Sequence, residues 1–450
     1  MTRAKTGRVL LALLLSAVSL LGLFAPSALA ADSIYRIYYT ESDKLYRSRN
    51  DGKGEAELLA TNTNPGRRCI RSGNFLVGLS SSGSLLRSDL SKAPHAQCDT
   101  LDSSTGAFDV RDGYIYYTKR APDNSSAYRL YRMKADTDAS KSGYANSNKY
   151  HAYEKELASN LDNGFLQFKI LDGYIYYTAK KDGRELWIAR KKQDGSGSVK
   201  WICAGSLESQ VLITTTPENL YILVNTNPKE DQYSTECMVA YQVNRKSGKA
   251  KALNAKNPVD YNASGYGGWA GQVYYYNTGI EMVRAESSFD EFPSYVDAKG
   301  YGISMSGRRF VIDEKGVIAM VKTTGDTYVY SNREGKVYAC TIKSGKVSNK
   351  RQIKGVSNIQ HIRNMKKNGK RATTLMAGQS GTYLLNDNLK VTKLTGVNWD
   401  IVYLFDDIDG ILYSNAGDEG RLYWMSADGK TNRRISNVKP GSVVYVEAVQ

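Results

Sequence analysis

Histidine is nearly missing: His95, His151 and His361 are the only three in 450 residues. They stand far apart, and the chain carries no H-E-x-x-H, no G-x-S-x-G and no glycine-rich phosphate loop opening a helix. The metalloprotease, serine-hydrolase and nucleotide-cleaving classes therefore lack the residues that do their chemistry. Cysteine is scarce as well. Cys69, Cys98, Cys203, Cys237 and Cys340 show no C-x-x-C spacing, which disfavours zinc, and an odd count allows at most two bridges. Cys69 with Cys98 and Cys203 with Cys237 are nearest in sequence, and buried thiols fit the spacing equally well. After residue 25 no apolar stretch is long enough to cross a bilayer. Between residues 335 and 386 there is no Asp or Glu at all.

The one apolar run, Val9 to Ala25, follows the basic Arg3, Lys5 and Arg8 and precedes Ala28-Leu29-Ala30. A basic start, an apolar middle and a small-x-small end are the three parts of an export signal. Residues 1–30 are expected to be removed, leaving a secreted chain that starts at Ala31. No cysteine follows the run, so lipid attachment is not expected. The remaining 420 residues carry 58 basic and 45 acidic side chains, a net charge of +13. An exported basic protein leans towards anionic partners.

The strongest pattern is a repeat. DGYIYYT at 112–118 returns letter for letter at 172–178. Tyr114, Tyr116 and Thr118 fall on one face of a strand and Ile115 and Tyr117 on the other, so both faces expect cover. Phe108-Asp109-Val110 and Phe168-Lys169-Ile170 alternate as strands just before it, and Asp-Gly supplies the positive φ of a hairpin turn. A polar gap then leads to a third strand, at 129–133 and 185–189, and Asp194-Gly195 turns into a fourth at 199–202. Sliding this template along the chain marks second strands near residues 37, 76, 115, 175, 220, 273, 328, 375 and 411, at spacings of 36 to 60 residues. A four-stranded unit of about 40 to 50 residues is the period of a propeller blade. The expected fold is all-β, a single β-propeller over residues 31–450 with eight blades and seven as the next choice, since about eight is the usual upper limit. Val443-Val444-Tyr445-Val446 is expected to close the ring on the first unit, and residues 137–152 read as an insertion.

The string Y-I-Y-Y-T, a polar loop, L-Y or L-W and a D-G turn resembles the secreted bacterial β-propellers related to the YWTD propeller of lipoprotein receptors, a family of unknown function. The resemblance covers 34–207 and 400–437. It implies a noncatalytic propeller and supplies no site residues. The receptor motif's Asp is replaced here by Glu41, Lys119 or Ala179, so the receptor's polar ties between blades are not expected in their usual form.

Site candidates follow from charge. The acid-free stretch holds eleven Lys and Arg residues, of which Lys350, Arg351, Arg363, Lys366, Lys367, Lys370 and Arg371 are the expected ligand-binding set. His361 to Arg371 reads as an exposed loop between two units. A second set, Lys119, Arg120, Lys180, Lys181 and Arg184, flanks the loops between second and third strands. Expected ligands are an anionic cell-wall polymer, an acidic polysaccharide, an anionic membrane surface or a protein partner. Specific nucleic-acid recognition is not expected, since no aromatic residue interleaves with the charges. Neither a cofactor nor self-association is expected. Asp406-Asp407-Ile408-Asp409-Gly410 reads as a hairpin turn flanked by acids, with a catalytic dyad or a calcium site as the other readings. The alternatives to a binding module are a polysaccharide hydrolase or lyase, which needs carboxylates converging at the channel, and a spacer with no ligand, which needs neither acids nor a patch.

Overall fold

A computed structural model describes residues 34–53, 56–61, 69–94, 96–121, 127–138, 146–161, 168–207, 214–215, 219–226, 236–253, 259–260, 274–276, 279–285, 300–303, 309–367, 370–378, 380–394, 397, 399–403, 408–437 and 439–449. Residues 1–30, the expected export signal, lie outside them. Among the described residues there are strands and three short 3-10 turns, and no α-helix.

The repeated segment shows why. Tyr114–Arg120 and Tyr174–Lys181 are second strands, buried along nearly their whole length. Alternate side chains of one strand enter two different cores. Ile115 and Tyr117 pack with Val77 and Leu85 of the preceding unit. Tyr116, facing the other way, packs with Ile175 and Tyr177 of the next, and Tyr176 in turn with Ile222 and Val243. The Asp-Gly turns have the expected form: φ is 50° and 76° at Asp112 and Gly113, and 53° and 73° at Asp172 and Gly173, the paired positive values of a two-residue hairpin. Tyrosine, more than phenylalanine, suits these cores because its hydroxyl can reach a polar partner at the sheet edge. Tyr38 donates to Glu447 at 2.6 Å, Tyr330 to Asp313 at 2.8 Å and Tyr413 to Asn432 at 2.8 Å.

Antiparallel units, four-stranded except for the six-stranded fifth, follow one another at 35–61, 70–102, 105–161, 168–204, 206–260, 274–313, 319–357, 359–393 and 399–434. The first takes its first strand from the C-terminus, as expected: Ser442–Ala448 pairs with Tyr35–Glu41, from Thr40 opposite Ser442 to Tyr35 opposite Ala448. Hydrogen bonding joins the units into eight sheets, the expected number. The first two units share one sheet through a short parallel pairing of Ala60 and Thr61 with Ala96 and Gln97, so counting units gives nine. Each second-strand position read from the sequence falls in a second strand, except that near 273: residue 273 lies outside the described residues, and the adjoining Tyr274–Tyr276 is the first strand of its unit, with Gly279–Ala285 as the second. Among the described residues apolar clusters join each unit to the next except the fifth to the sixth, and Tyr35, Ile37 and Tyr39 pack with Leu412 and Trp424 of the ninth unit, so that the two ends of the array meet.

A polar latch repeats between units and was not legible as such in the sequence. Arg87, Arg132 and Arg190 stand on third strands opposite Val77, Tyr116 and Tyr176. Their guanidinium groups lie 4.8, 4.7 and 4.3 Å from the ring centres of Phe75, Tyr114 and Tyr174. Each donates to backbone carbonyls at the turn after the third strand of the following unit. Arg87 reaches Ala135 at 2.7 Å and Thr137 at 2.9 Å, Arg132 reaches Gln193 at 3.2 Å, and Arg190 reaches Arg245 at 3.0 Å and Lys246 at 3.2 Å. A planar five-donor fork that also stacks is the group that can do both at once. The second half of the expected insertion belongs to this latch. Residues Asn146–Tyr153 form a 3-10 turn, and Tyr150, 1% exposed, accepts from Arg87 at 3.1 Å.

Successive turns of an up-and-down sheet alternate between its two ends. The turns after first and third strands therefore share one face of the ring, and backbone hydrogen bonds tie them together: Leu90 to Asn74, Ala135 to Gly113, Gln193 to Gly173 and Ile342 to Asp326, at 2.7–3.0 Å. We call this the turn face. Loops between second and third strands lie on the opposite face. Fourth strands form the solvated rim.

Candidate functional site: a basic rim and two lysine turns

The acid-free stretch folds into two adjacent units. Its first part is the fourth strand of the seventh unit, Lys346–Ser357, twelve residues of which only Ile353 and Val356 are buried. Lysines along a solvated edge discourage pairing with another chain, and they also place charge on the rim. Arg351 and Lys354 are exposed here. Lys350 is exposed but paired. Its ammonium lies 2.9 Å from Asp313 of the sixth unit and 4.6 Å from the Tyr338 ring centre. Burial alone would raise the Asp313 carboxyl, but hydrogen bonds from Lys350, the Lys315 amide and Tyr330 hold it below the usual carboxylate range. Lys350 thus ties two units together while its side chain stays partly open to solvent.

The second part corrects a larger expectation. His361 to Arg371 is not a loop between units. It belongs to a long hairpin inside the eighth unit, with Ile359–Lys367 as its first strand and Lys370–Gly378 as its second. Alternation explains it, since Met365 turns inward, 2% exposed, while Lys366 turns out. The sequence signal overlooked was Asn368-Gly369, a strong two-residue hairpin turn, masked by the density of charge around it. Arg371 is engaged within this hairpin, bonding Asn364, Thr374 and Asp387, and its guanidinium is largely buried. Arg363 sits mid-strand opposite Leu375, half-buried. Lys366 and Lys370 are exposed, and Lys367 occupies the strand position opposite Lys370.

The remaining lysines gather at turns. Lys343 and Lys346 stand opposite each other across Ser344-Gly345, a turn with φ of 49° and 74°, and both are exposed. In the next unit Lys367 faces Lys370 and Lys366 faces Arg371. The Ser344-Gly345 turn follows a third strand and so lies on the turn face, and the ends of Ile359–Lys367 and Lys370–Gly378 that pair Lys367 with Lys370 run towards the same face. Other turns of that face are built differently: Ser72 faces Phe75, Arg111 faces Tyr114 and Leu171 faces Tyr174.

The second candidate set lies on the opposite face, so the structure does not bring the two together. Lys119 is buried, 6% exposed. Its ammonium is 2.5 and 2.7 Å from the two Glu154 oxygens and 3.7 Å from Asp102 of the preceding unit. This is a polar tie between units at the position where the receptor motif has Asp, with the charge reversed. Asp102, His151 and Glu154 offer ligand atoms within 4.8 Å of one another, and Lys119 already supplies the positive charge those carboxylates need. Lys181 lies 4.1 Å from the Trp187 ring centre, Lys180 is half-buried, and Arg120 and Arg184 are exposed. Asp406 and Asp407 fall outside the described residues. Asp409 does stand at a turn before a second strand, Gly410–Asn415, with its amide donating to Tyr35 at 2.9 Å. Cys69, Cys98, Cys203 and Cys340 carry thiols in this structure, and nothing is described of the Cys237 side chain.

No family model matches this chain, and no curated protein does. Similar solved structures include apo AztD from Citrobacter koseri, 11% identical over 80% of this chain and 94% of that one, with a TM-score of 0.38. BamB from Moraxella catarrhalis is 12% identical over 81% and 92%, with a TM-score of 0.37. Sqt1 from Saccharomyces cerevisiae is 11% identical over 75% and 86%, with a TM-score of 0.39. Likeness at this level assigns no ligand and no activity.

Proposed function

We propose that this protein is an exported, noncatalytic β-propeller, akin to the YWTD-like bacterial propellers, that binds an anionic polymer at the cell envelope through its seventh and eighth units. One observation carries the reading. Once the paired basic residues are set aside, Lys350 on Asp313, Lys336 on Glu334 and Arg371 on Asp387, the exposed Lys343, Lys346, Arg351, Lys354 and Lys370 lie together on one sector of rim and turn face. No acid of residues 335–386 offsets them. A surface of one sign attracts polyanions, and salt screens that attraction within about 10 Å at 0.1 M. The acids that do converge, Asp102 and Glu154, are neutralised by Lys119, which speaks against the dyad a glycosidase requires.

The test is retention of the secreted protein on isolated envelope, eluted with a salt gradient. The quadruple change Arg351→Glu, Lys354→Glu, Lys366→Glu and Lys370→Glu should abolish retention, with the melting temperature nearly unchanged because such surface changes shift stability by only about 0.5 kcal/mol. Lys180→Glu with Arg184→Glu, on the opposite face, should leave retention intact. Retention that ignores salt, or that follows the opposite-face pair, rejects the proposal.

A further inference from the structure

We infer that a groove on the turn face, between the second and third units, receives a guanidinium group from a ligand. The place is apart from the seventh and eighth units, and the inference stands independently of the polyanion reading. It starts from a side-chain bridge that two successive junctions have and the one before them lacks. The first residue after the paired third strand is Ala135 in the third unit, Gln193 in the fourth and Arg245 in the fifth, since Tyr114 pairs with Lys134, Tyr174 with Lys192 and Asn219 with Asn244. Gln193 reaches back to the turn after the first strand of the preceding unit and donates to Asp112 at 3.0 Å. Arg245 does the same to Asp172 with both arms of its fork, the Nε at 2.5 Å. Between the second and third units the matching positions are Gly73 and Ala135. Neither side chain can bridge.

The missing bridge leaves space. A groove of about 530 Å³ opens at this junction with Gly73 and Ala135 in its lining, within the range of roughly 300–1,000 Å³ common to small-ligand sites. Its charge sets the sign of the ligand. Asp89, Asp112 and Asp136 line it against Lys134 alone, three negative charges to one positive, so a cation is drawn in and an anion is repelled. A metal ion does not fit, because the oxygens of these three acids do not converge; among the described residues the grouping close enough to hold one is Asp102 with His151 and Glu154. The neighbouring junctions select the group. Both are bridged by planar N–H donors, an amide and a guanidinium, and the guanidinium fork meets a carboxylate in two-point contact. Phe75 and Tyr114 supply the apolar part of the wall, along which the methylenes that carry a guanidinium can lie.

The experiment titrates the full secreted chain by calorimetry with blocked tripeptides, acetyl-Gly-Xaa-Gly-amide, in which Xaa is arginine, lysine, citrulline or glutamate, and with agmatine as a free guanidinium compound. The arginine peptide should bind and the glutamate peptide should not. Citrulline keeps the shape without the charge and lysine the charge without the fork, so each should bind about tenfold more weakly or worse, the loss of one charge-assisted bond. Asp112→Asn with Asp136→Asn should weaken the arginine peptide by about tenfold or more. Both positions are exposed and asparagine tolerates the φ of 50° at residue 112, so the melting temperature should stay within about 1 °C. Ser91→Arg, in the groove lining, supplies a tethered guanidinium and should block binding, whereas Asp172→Asn at a bridged junction should leave it intact. Agmatine binding as tightly as the arginine peptide assigns a free guanidinium compound, and agmatine binding far more weakly assigns an arginine side chain of a partner polypeptide. An arginine peptide that does not bind, a lysine or citrulline peptide that binds equally well, or an Asp112→Asn, Asp136→Asn protein that binds like the parent overturns the inference. Envelope retention reads the basic sector alone, so the two readings fail separately.

Discussion

Replacing Arg87 tests whether the latch between units holds the ring together. Its side chain is 6% exposed and makes four polar contacts: the Ala135 carbonyl at 2.7 Å, the Thr137 carbonyl at 2.9 Å, Asp99 at 2.8 Å and the Tyr150 hydroxyl at 3.1 Å. Arg87→Ala removes the donor to the buried Ala135 carbonyl and the bond to the Tyr150 hydroxyl, and hydrogen bonds to a charged group contribute about 1.5–3 kcal/mol each. Asp99 is 40% exposed and recovers water, so its share is small. Breaking one side of a buried charged network typically costs about 3–5 kcal/mol, and we expect that range here. A chain of about 420 residues has an unfolding entropy near 0.9 kcal/mol per degree, so the melting temperature should fall by about 3–6 °C. Arg87→Lys keeps the charge but not the fork or the stack on Phe75, and should lose about half as much. Arg120→Ala, exposed and on the opposite face, should change it by less than about 1 °C. Thermal and urea unfolding followed by circular dichroism read all three. An Arg87→Ala protein melting within a degree of the parent would refute the latch as a stabilising device.

Two further outcomes follow from packing and charge. Gly410→Ala should destabilise by about 1–3 kcal/mol in urea titration, because the added methyl would sit 2.4 Å from the fully buried Trp424 and 2.6 Å from the Met425 carbonyl; a neutral result would mean that the tryptophan can move. Asp313 carries a carboxyl depressed in the folded state, so its contribution is present above the unfolded value of about 3.9 and is lost as pH falls through the lower folded value. The stability gap between the parent and Asp313→Asn should thus narrow as acid unfolding is approached below about pH 4, and a gap that widens there would reject the assignment.

Much of this architecture was written in local pattern. Asp112-Gly113 can only be a tight turn with both φ angles positive, Ile115-Tyr116-Tyr117 can only be a strand apolar on both faces, and a strand covered on both faces must lie between two others. Repetition of that logic yields a ring of blades, and Val443 to Val446 was the segment left to close it. The polar readings fared differently, because charge in a sequence does not say what stands opposite it. Lys119 and Lys350 read as surface lysines, yet one neutralises Glu154 and Asp102 and the other Asp313, partners brought near only when units stack. The hairpin 359–378 was hidden in the same way, its inward Met365 outweighed by the lysines around it. Arg87, Arg132 and Arg190 looked like ordinary strand residues until the next unit's turn carbonyls arrived beside them. Local backbone preference and side-chain alternation act over a few residues and are legible in order along the chain. Which charges are buried, paired or left facing each other across a turn depends on neighbours tens or hundreds of residues away, and the closed ring alone decides that.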